Sequence, residues 1–409
     1  MLAPDGGGKT VASLAGRRGV LERFARWAAA HRDPRRPLVW VHAPSVGEGL
    51  QARPVIEMLR QRRPDVQVVY THFSSSAAPL AARIGADYAD YLPFDTPRGA
   101  RAILRALRPT ALVFSKLDVW PVLVDEAVQQ GVRVAMIAAT MTERSGRSGL
   151  FARALLHDAY AALCSVGAID AADALRLVAL GVDGARVHVT GDTRYDQVWT
   201  HAQTVDRAAS LIAPLASGRP TLVAGSTWPA DEQVLVDAWR EVRRRVADAR
   251  LIIAPHEPTP PHLAAIEAWA DRLGVRAARL GTPDAEHADL VLVDRVGVLG
   301  DLYALADVAF VGGGFHAAGL HSVLEPAAFG APVLFGPRFQ LSRDASLLIA
   351  AQGGRSVANA PELGDALVVW LCDASARATS GARARALVQA GRGAAERSLN
   401  MVLALLDAT

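Results

Sequence analysis

Short apolar runs alternate with helix-length amphipathic segments along almost the whole chain, and this alternation restricts the fold more than any other feature. In the first half the runs are Leu38–Ala43, Gln67–Thr71, Ala111–Phe114, Val132–Ala138 and Val187–Val189. In the second half they are Thr221–Ala224, Leu251–Ala254, Leu290–Val293, Val308–Val311 and Pro332–Phe335. Helical patterns lie between them at Glu48–Gln61, Arg98–Leu107, Pro121–Gln130, Asp231–Val246, Leu263–Leu273 and Val323–Phe329. Near-continuous apolar strands joined by crossover helices describe parallel sheets covered on both faces. The alternation pauses over Gln197–Leu215, which reads as helical, and restarts near Pro220. The fold class is therefore α/β, with two doubly wound Rossmann-like domains. The expected division is a basic N-terminal segment over 1–36, a first domain over 37–195 and a second over 196–380. Helices over 381–409 can cross back and latch the two lobes. Ligands of such sheets bind beyond the carboxyl ends of the strands, so a cleft between facing domains is the expected site.

The 409 residues and 51% hydrophobic content support large buried cores, and a net charge of +3 gives no reason to expect nucleic acid as a partner. Cys164 and Cys372 lie far apart, each in an apolar stretch and outside any C-x-x-C pair, which suits a reduced intracellular protein. No apolar run of about 18 residues is present to form a membrane span, and the start lacks a signal-peptide core. Arg17 to Trp27 is a basic amphipathic patch, with Arg17, Arg18, Arg23 and Arg26 beside Val20, Leu21, Phe24 and Trp27. It suits docking either on the first domain or on an anionic membrane surface. Ala3–Thr10 (APDGGGKT) looks like a phosphate loop, but no strand precedes it, and it reads as a disordered terminus.

The most informative motif is Val311-Gly312-Gly313-Gly314-Phe315, followed by His321-Ser322-Val323-Leu324-Glu325-Pro326. A strand ending in glycines before a helix makes an anion or nucleotide site, because backbone approaches the ligand and the first helical turn has free N–H groups. Glu325, one turn in, can accept ribose hydroxyls, so the pattern suggests a nucleotide sugar. Ser45-Val46-Gly47-Glu48 follows the first strand and places Glu48 on the first helical turn, as a general base or as a partner of the helix dipole. Lys116 and Asp118 leave another strand before Trp120 and Pro121; Lys116 can neutralise a phosphate or carboxylate, or simply pair with Asp118. Arg144, in Thr142–Ser145, offers a forked donor or a solvated basic turn. Gly191–Asp196 carries Arg194 at the domain junction, as ligand contact or hinge. Gly225-Ser226-Thr227-Trp228 offers hydroxyls for a phosphate or for a cap. No H-E-x-x-H or cysteine cluster exists, so neither a metal site nor a cofactor is expected; His316 and His321 read as polar residues of a glycine turn. The absence of G-x-S-x-G argues against an α/β-hydrolase, and the absence of G-x-G-x-x-G after the first strand against a dinucleotide dehydrogenase.

Taken in order, these segments resemble the Kdo (3-deoxy-D-manno-octulosonic acid) transferases of lipopolysaccharide assembly. The resemblance runs from about Leu38 to Arg355. It is carried by SVGE at Ser45–Glu48, PFDT at Pro93–Thr96, Lys-x-Asp-x-Trp at Lys116–Trp120, TERS at Thr142–Ser145 and GDTRYD at Gly191–Asp196. It continues through AGST at Ala224–Thr227, VGGG at Val311–Gly314 and LEPAAFGAPVLFGP at Leu324–Pro337. The chain departs from many members at Ser322 (Asn there), His256 (Arg there) and Asp118 (Glu there). The resemblance implies a GT-B fold and an inverting, metal-independent glycosyltransferase that moves Kdo from CMP-Kdo to a lipid A precursor, lipid IV-A. It implies Glu48 as catalytic base, and Ser45 and Gly47 beside the acceptor. Lys116, Arg144, Arg194, Ser226, Thr227, His256, Gly312, Gly313, Ser322 and Glu325 are implied around the donor. Location is implied as cytoplasmic and peripheral on the inner membrane; many members begin with a membrane-anchoring helix that is not seen here, so either the membrane contact is peripheral or the start of the gene product is missing. Alternative readings are a GT-B enzyme for a UDP-sugar, either a transferase or a 2-epimerase, and a non-catalytic membrane-associated scaffold.

Overall fold

The computed structural model describes residues 6–141 and 150–407. It divides into two compact units: one of Met1–Gln197 with Gly391–Thr409, the other of Val198–Ala390. Each is built on a seven-stranded parallel sheet.

The first sheet consists of β1 (Leu38–His42), β2 (Gln67–His72), β3 (Tyr88–Tyr91), β4 (Ala111–Ser115), β5 (Arg133–Ala139), β6 (Ser165–Ala168) and β7 (Val187–Val189). Its order is β3-β2-β1-β4-β5-β6-β7, so the direction of winding reverses between β1 and β4. Helices cover both faces because the strands are apolar on both. Trp40, Leu112, Phe114 and Met136 pack with helices Val20–His31, Pro97–Leu107 and Pro121–Gln129. Val39, Val41, Val113 and Ile137 pack with helix Val46–Arg62 and the last helix, Ala394–Asp407. The Asp196 carboxylate fastens that last helix by accepting the N–H groups of Gly393 (2.6 Å) and Ala395 (2.8 Å).

The second sheet consists of β8 (Thr221–Thr227), β9 (Arg250–Pro255), β10 (Ala277–Arg279), β11 (Leu290–Leu292), β12 (Val308–Val311), β13 (Val333–Phe335) and β14 (Gly354–Ser356). Its order, β10-β11-β9-β8-β12-β13-β14, reverses between β8 and β12. Leu222, Ala224, Ile253 and Phe310 pack with Trp239 of helix Pro229–Arg245 and Leu367 of helix Ala360–Cys372 on one face. Val223, Ile252, Val291 and Ala309 pack with Leu302 and Tyr303 on the other.

All ten strands expected from apolar runs are present, and four others are added: β3, β6, β10 and β14. β3, β10 and β14 are sheet edges with half-buried or exposed residues, so they carry no apolar run to read. The expectation of a disordered start is corrected from Gly6 onward, where a helix runs Gly6–Gly16. The basic patch docks on the protein. Val20 and Phe24 are buried, Trp27 stacks on Tyr88 at 5.1 Å, and Arg23 forms a two-pronged pair with Asp90 at 2.6 and 2.7 Å. Arg17, itself buried, donates to the carbonyls of Leu92 (3.1 Å) and Phe73 (2.7 Å). Arg18 and Arg26 remain exposed. Both cysteines are free and lie on the surface. No helix among the described residues is long and apolar enough to cross a membrane.

Candidate functional site

In a doubly wound sheet the point where winding reverses leaves a crevice at the carboxyl ends of two neighbouring strands. In the first unit these are β1 and β4. Glu48 follows β1 on the first turn of helix Val46–Arg62, and Lys116 follows β4 directly. The Lys116 ammonium reaches Glu48 Oε1 at 3.3 Å. Ser45 Oγ donates to the other carboxylate oxygen, and Ser115 Oγ donates to the Glu48 carbonyl at 3.0 Å. Glu48 keeps a side-chain exposure of 15%, so it is held on two sides yet open to solvent. Gly47 is exposed beside it, and a Cβ there meets only Ser45 Oγ at 3.8 Å. Lys116 holds a φ of +70°, a left-handed conformation that a lysine adopts only when its surroundings impose it. Its N–H donates to the Ile137 carbonyl of β5 at 2.8 Å, which fixes that bend.

Two further motifs act on the frame around this pair. Asp95 accepts the N–H groups of Val122 (3.1 Å) and Leu123 (2.8 Å) and so closes the start of helix Pro121–Gln129. The Arg194 fork is committed to Asp192 at 2.6 and 2.9 Å, while Thr193 Oγ1 donates to the Gln51 carbonyl at 2.7 Å. Asp192 and Thr193 are buried against helix Val46–Arg62, and the part-exposed Arg194 holds Asp192 in that brace. Arg144 lies outside the described residues.

In the second unit the winding reverses between β8 and β12, and Ser226, Thr227, Gly312 and Gly313 all lie there. Ser226 has a φ of +53° at a bulge in β8, the second of the site candidates held in the left-handed region. The N–H groups of the glycine turn itself are taken up within the protein. Gly313 N–H (2.7 Å) and Phe315 N–H (2.9 Å) both donate to Asp231, and Gly312 N–H donates to the Gly225 carbonyl at 2.9 Å. The glycines serve backbone packing. A Cβ on Gly312 would lie 2.2 Å from the Ser226 carbonyl oxygen, and one on Gly314 would lie 2.4 Å from Gly336 N. The Thr227 hydroxyl is also spent, donating to Glu232 Oε1 at 2.8 Å, which in turn pairs with His262 at 2.8 Å.

Ser322 is exposed on the loop before helix Leu324–Phe329. Glu325, part-buried inside that six-residue helix, lies within electrostatic reach of Tyr303 and His201, and burial raises its carboxyl above the ordinary range. It accepts no hydrogen bond among the described residues, so its oxygens are unspent. His256 follows β9 and stacks on Trp228.

Asp231 belongs to this site although no sequence motif marks it. Fully buried, its carboxylate accepts three backbone N–H groups, the third from Trp228 at 2.9 Å. Its sequence signal, an acid in a helix's first turn, is that of any helix start. Trp228, His316 and His321 join His256 in one cluster, a grouping invisible in sequence because it spans three separate loops.

Residues 18–197 match the family signature described as 3-deoxy-D-manno-octulosonic-acid transferase (kdotransferase). The 3-deoxy-D-manno-octulosonic acid transferase of Bordetella pertussis is 30% identical over 393 residues, covering 92% of this chain and 90% of that one. The chain belongs to the Kdo transferase family. The Haemophilus influenzae member is 25% identical over 399 residues, covering 96% of this chain and 92% of its own. As a Kdo transferase the protein is a glycosyltransferase of lipopolysaccharide biosynthesis. Its fold is GT-B, shared with a UDP-GlcNAc 2-epimerase from Neisseria meningitidis (TM-score 0.65, 13% identity, 90% of this chain and 99% of that one). A glycosyltransferase from Rickettsia africae gives a TM-score of 0.62 at 11% identity, over 91% of this chain and 100% of that one.

Proposed function

We propose that this Kdo transferase takes Kdo from CMP-Kdo and places it on lipid IV-A, a lipid A precursor, with inversion at the anomeric carbon and without a metal ion. The observation that carries the reading is Glu48: a carboxylate at the reversal point of the first sheet, open to solvent and set by Ser45 and Lys116. An acceptor glucosamine hydroxyl attacks the anomeric carbon of Kdo and gives its proton to Glu48. The bond from that carbon to the phosphate oxygen breaks, and CMP leaves with the electron pair. Attack opposite the leaving group inverts the centre. Once Glu48 carries the proton, the Lys116 ammonium loses its anionic partner and meets the negative charge of the sugar carboxylate or phosphate.

The second unit is the proposed donor holder, with Ser226, His256, Ser322 and the unspent Glu325 as its contacts; Glu325 suits the ribose hydroxyls. Thr227, Gly312 and Gly313 then act by shaping the backbone, and Arg194 by bracing the first unit. Ser45 and Gly47 border the acceptor. Because the acceptor is a lipid, we place the protein peripherally on the cytoplasmic face of the inner membrane. Exposed Arg18 and Arg26 suit an anionic surface.

The test is incubation of the full chain with CMP-Kdo and lipid IV-A in detergent. The expected result is a Kdo-bearing lipid with anomeric configuration opposite to the donor by NMR, formed at full rate in EDTA. Retained configuration, or loss of activity in EDTA restored by a divalent ion, contradicts the mechanism.

A further inference from the structure

The loops after β8, β9 and β12 bring four rings into one cluster in the second unit. The Trp228 indole lies between His316, with centroids 4.3 Å and planes 9° apart, and His256, at 4.6 Å and 25°. His321 packs on His256 at 4.6 Å, and its Nε2 accepts the indole N–H at 3.2 Å.

These contacts fix where the protons are. An imidazole nitrogen that accepts a hydrogen bond carries no proton, so His321 holds its proton on Nδ1. His316 Nδ1 accepts the Ala318 N–H at 3.1 Å, so its proton is on Nε2. Protonating either acceptor nitrogen breaks its bond, and burial beside His256 also holds His321 below the usual imidazole range. His316 and His321 thus each keep one ring N–H to donate. His256 differs, because neither of its ring nitrogens has a hydrogen bond among the described residues.

The charged groups on the neighbouring elements are mostly committed. Asp231, on the helix that Trp228 opens, is saturated by three backbone N–H groups. Glu232 pairs with His262, whose other nitrogen contacts the Glu257 carbonyl at 2.9 Å. Glu257 itself adjoins His256 in the chain, and Arg338, exposed, follows β13. A proton on His256 is stabilised by the face of Trp228 and by any anion brought to the cluster.

We propose that this ring cluster is a proton-linked anion site: His256 takes up one proton as the phosphodiester of the nucleotide donor binds, and the N–H groups of His316 and His321 complete the donor set. The inference rests on the donor-holding role proposed for the second unit.

The test uses the full chain and cytidine 5′-methylphosphate, a phosphodiester that does not titrate near neutral pH. Calorimetry in buffers of different ionisation enthalpy counts the protons taken up. Expected are uptake of up to one proton and an affinity that falls about tenfold from pH 6 to pH 8. His256→Arg, with a permanent charge, keeps binding and loses both effects. Trp228→Phe removes the indole donor but keeps a ring, frees His321 Nε2 and raises the proton count above the native value. Binding with no proton uptake and a flat pH profile overturns the inference while leaving the donor role intact. Absence of binding at every pH overturns both, and an unchanged count in Trp228→Phe overturns the proton assignment.

Discussion

Lys116 Nζ lies 3.3 Å from Glu48 Oε1, and the lysine that makes this pair holds a φ of +70°. A left-handed lysine costs on the order of 1–3 kcal/mol, so the fold bears strain at the place where it presents the ammonium. Lys116→Gly and Lys116→Ala both remove the charge, but only glycine relieves the backbone. Lys116→Gly is expected to be the more stable of the two by about 1 kcal/mol, with both losing transfer activity. Thermal unfolding beside turnover of the two variants checks this.

Asp231 should matter for both fold and donor binding. Asp231→Ala leaves the N–H groups of Trp228, Gly313 and Phe315 without their buried acceptor. Each such loss costs about 1–3 kcal/mol, so the variant should be destabilised by several kcal/mol. Asp231→Asn keeps one acceptor oxygen and should fall between Asp231→Ala and the native protein. Denaturant titration ranks the three.

The glycine turn gives a steric prediction. Gly312→Ala and Gly314→Ala set a Cβ against backbone at 2.2 and 2.4 Å, where nothing flexible can yield. Each is expected to cost at least about 2–3 kcal/mol, the range of severe overpacking. At Gly319 a Cβ meets nothing within 4 Å, and the φ of +93° is the sole obstacle. Gly319→Ala should therefore cost about 1–2 kcal/mol. Melting temperatures of the three variants compare the two effects directly.

His42, buried at the end of β1, couples stability to pH. Burial drives its imidazole down to about 3. It stays neutral, with Nδ1 on Thr71 O (3.1 Å) and Nε2 accepting the Trp120 indole N–H (3.1 Å). Below about pH 6.5 the unfolded chain takes up a proton at this position that the folded chain refuses. Its contribution is therefore intact above pH 6.5 and is lost as pH falls toward 3, by up to about 1.4 kcal/mol per pH unit. His72, also lowered by burial, adds in the same direction. Urea unfolding at pH 7.5 and pH 5 should show the loss, and His42→Gln should flatten the slope.

The central strands were legible because a strand buried on both faces has to be apolar throughout, as in Leu38–His42 or Val308–Val311. Edge strands such as Ala277–Arg279 escape that demand and leave no pattern. Glu48 and Lys116 were legible as candidates because they sit beside their strands in sequence. That they pair with each other was not, since 68 positions separate them and only the neighbouring of β1 and β4 joins them. Asp231 and the turn it holds are 82 positions apart, and the two ends carry no mutual signature.

The central claim is that Glu48 takes the acceptor proton during Kdo transfer. Its most direct test compares CMP release from CMP-Kdo, driven by lipid IV-A, for the native protein and for Glu48→Gln, which keeps the size and the Ser45 contact of the side chain. The account predicts a loss of about 100-fold or more in turnover with an unchanged melting temperature. Turnover within a fewfold of native in a folded Glu48→Gln protein would contradict it.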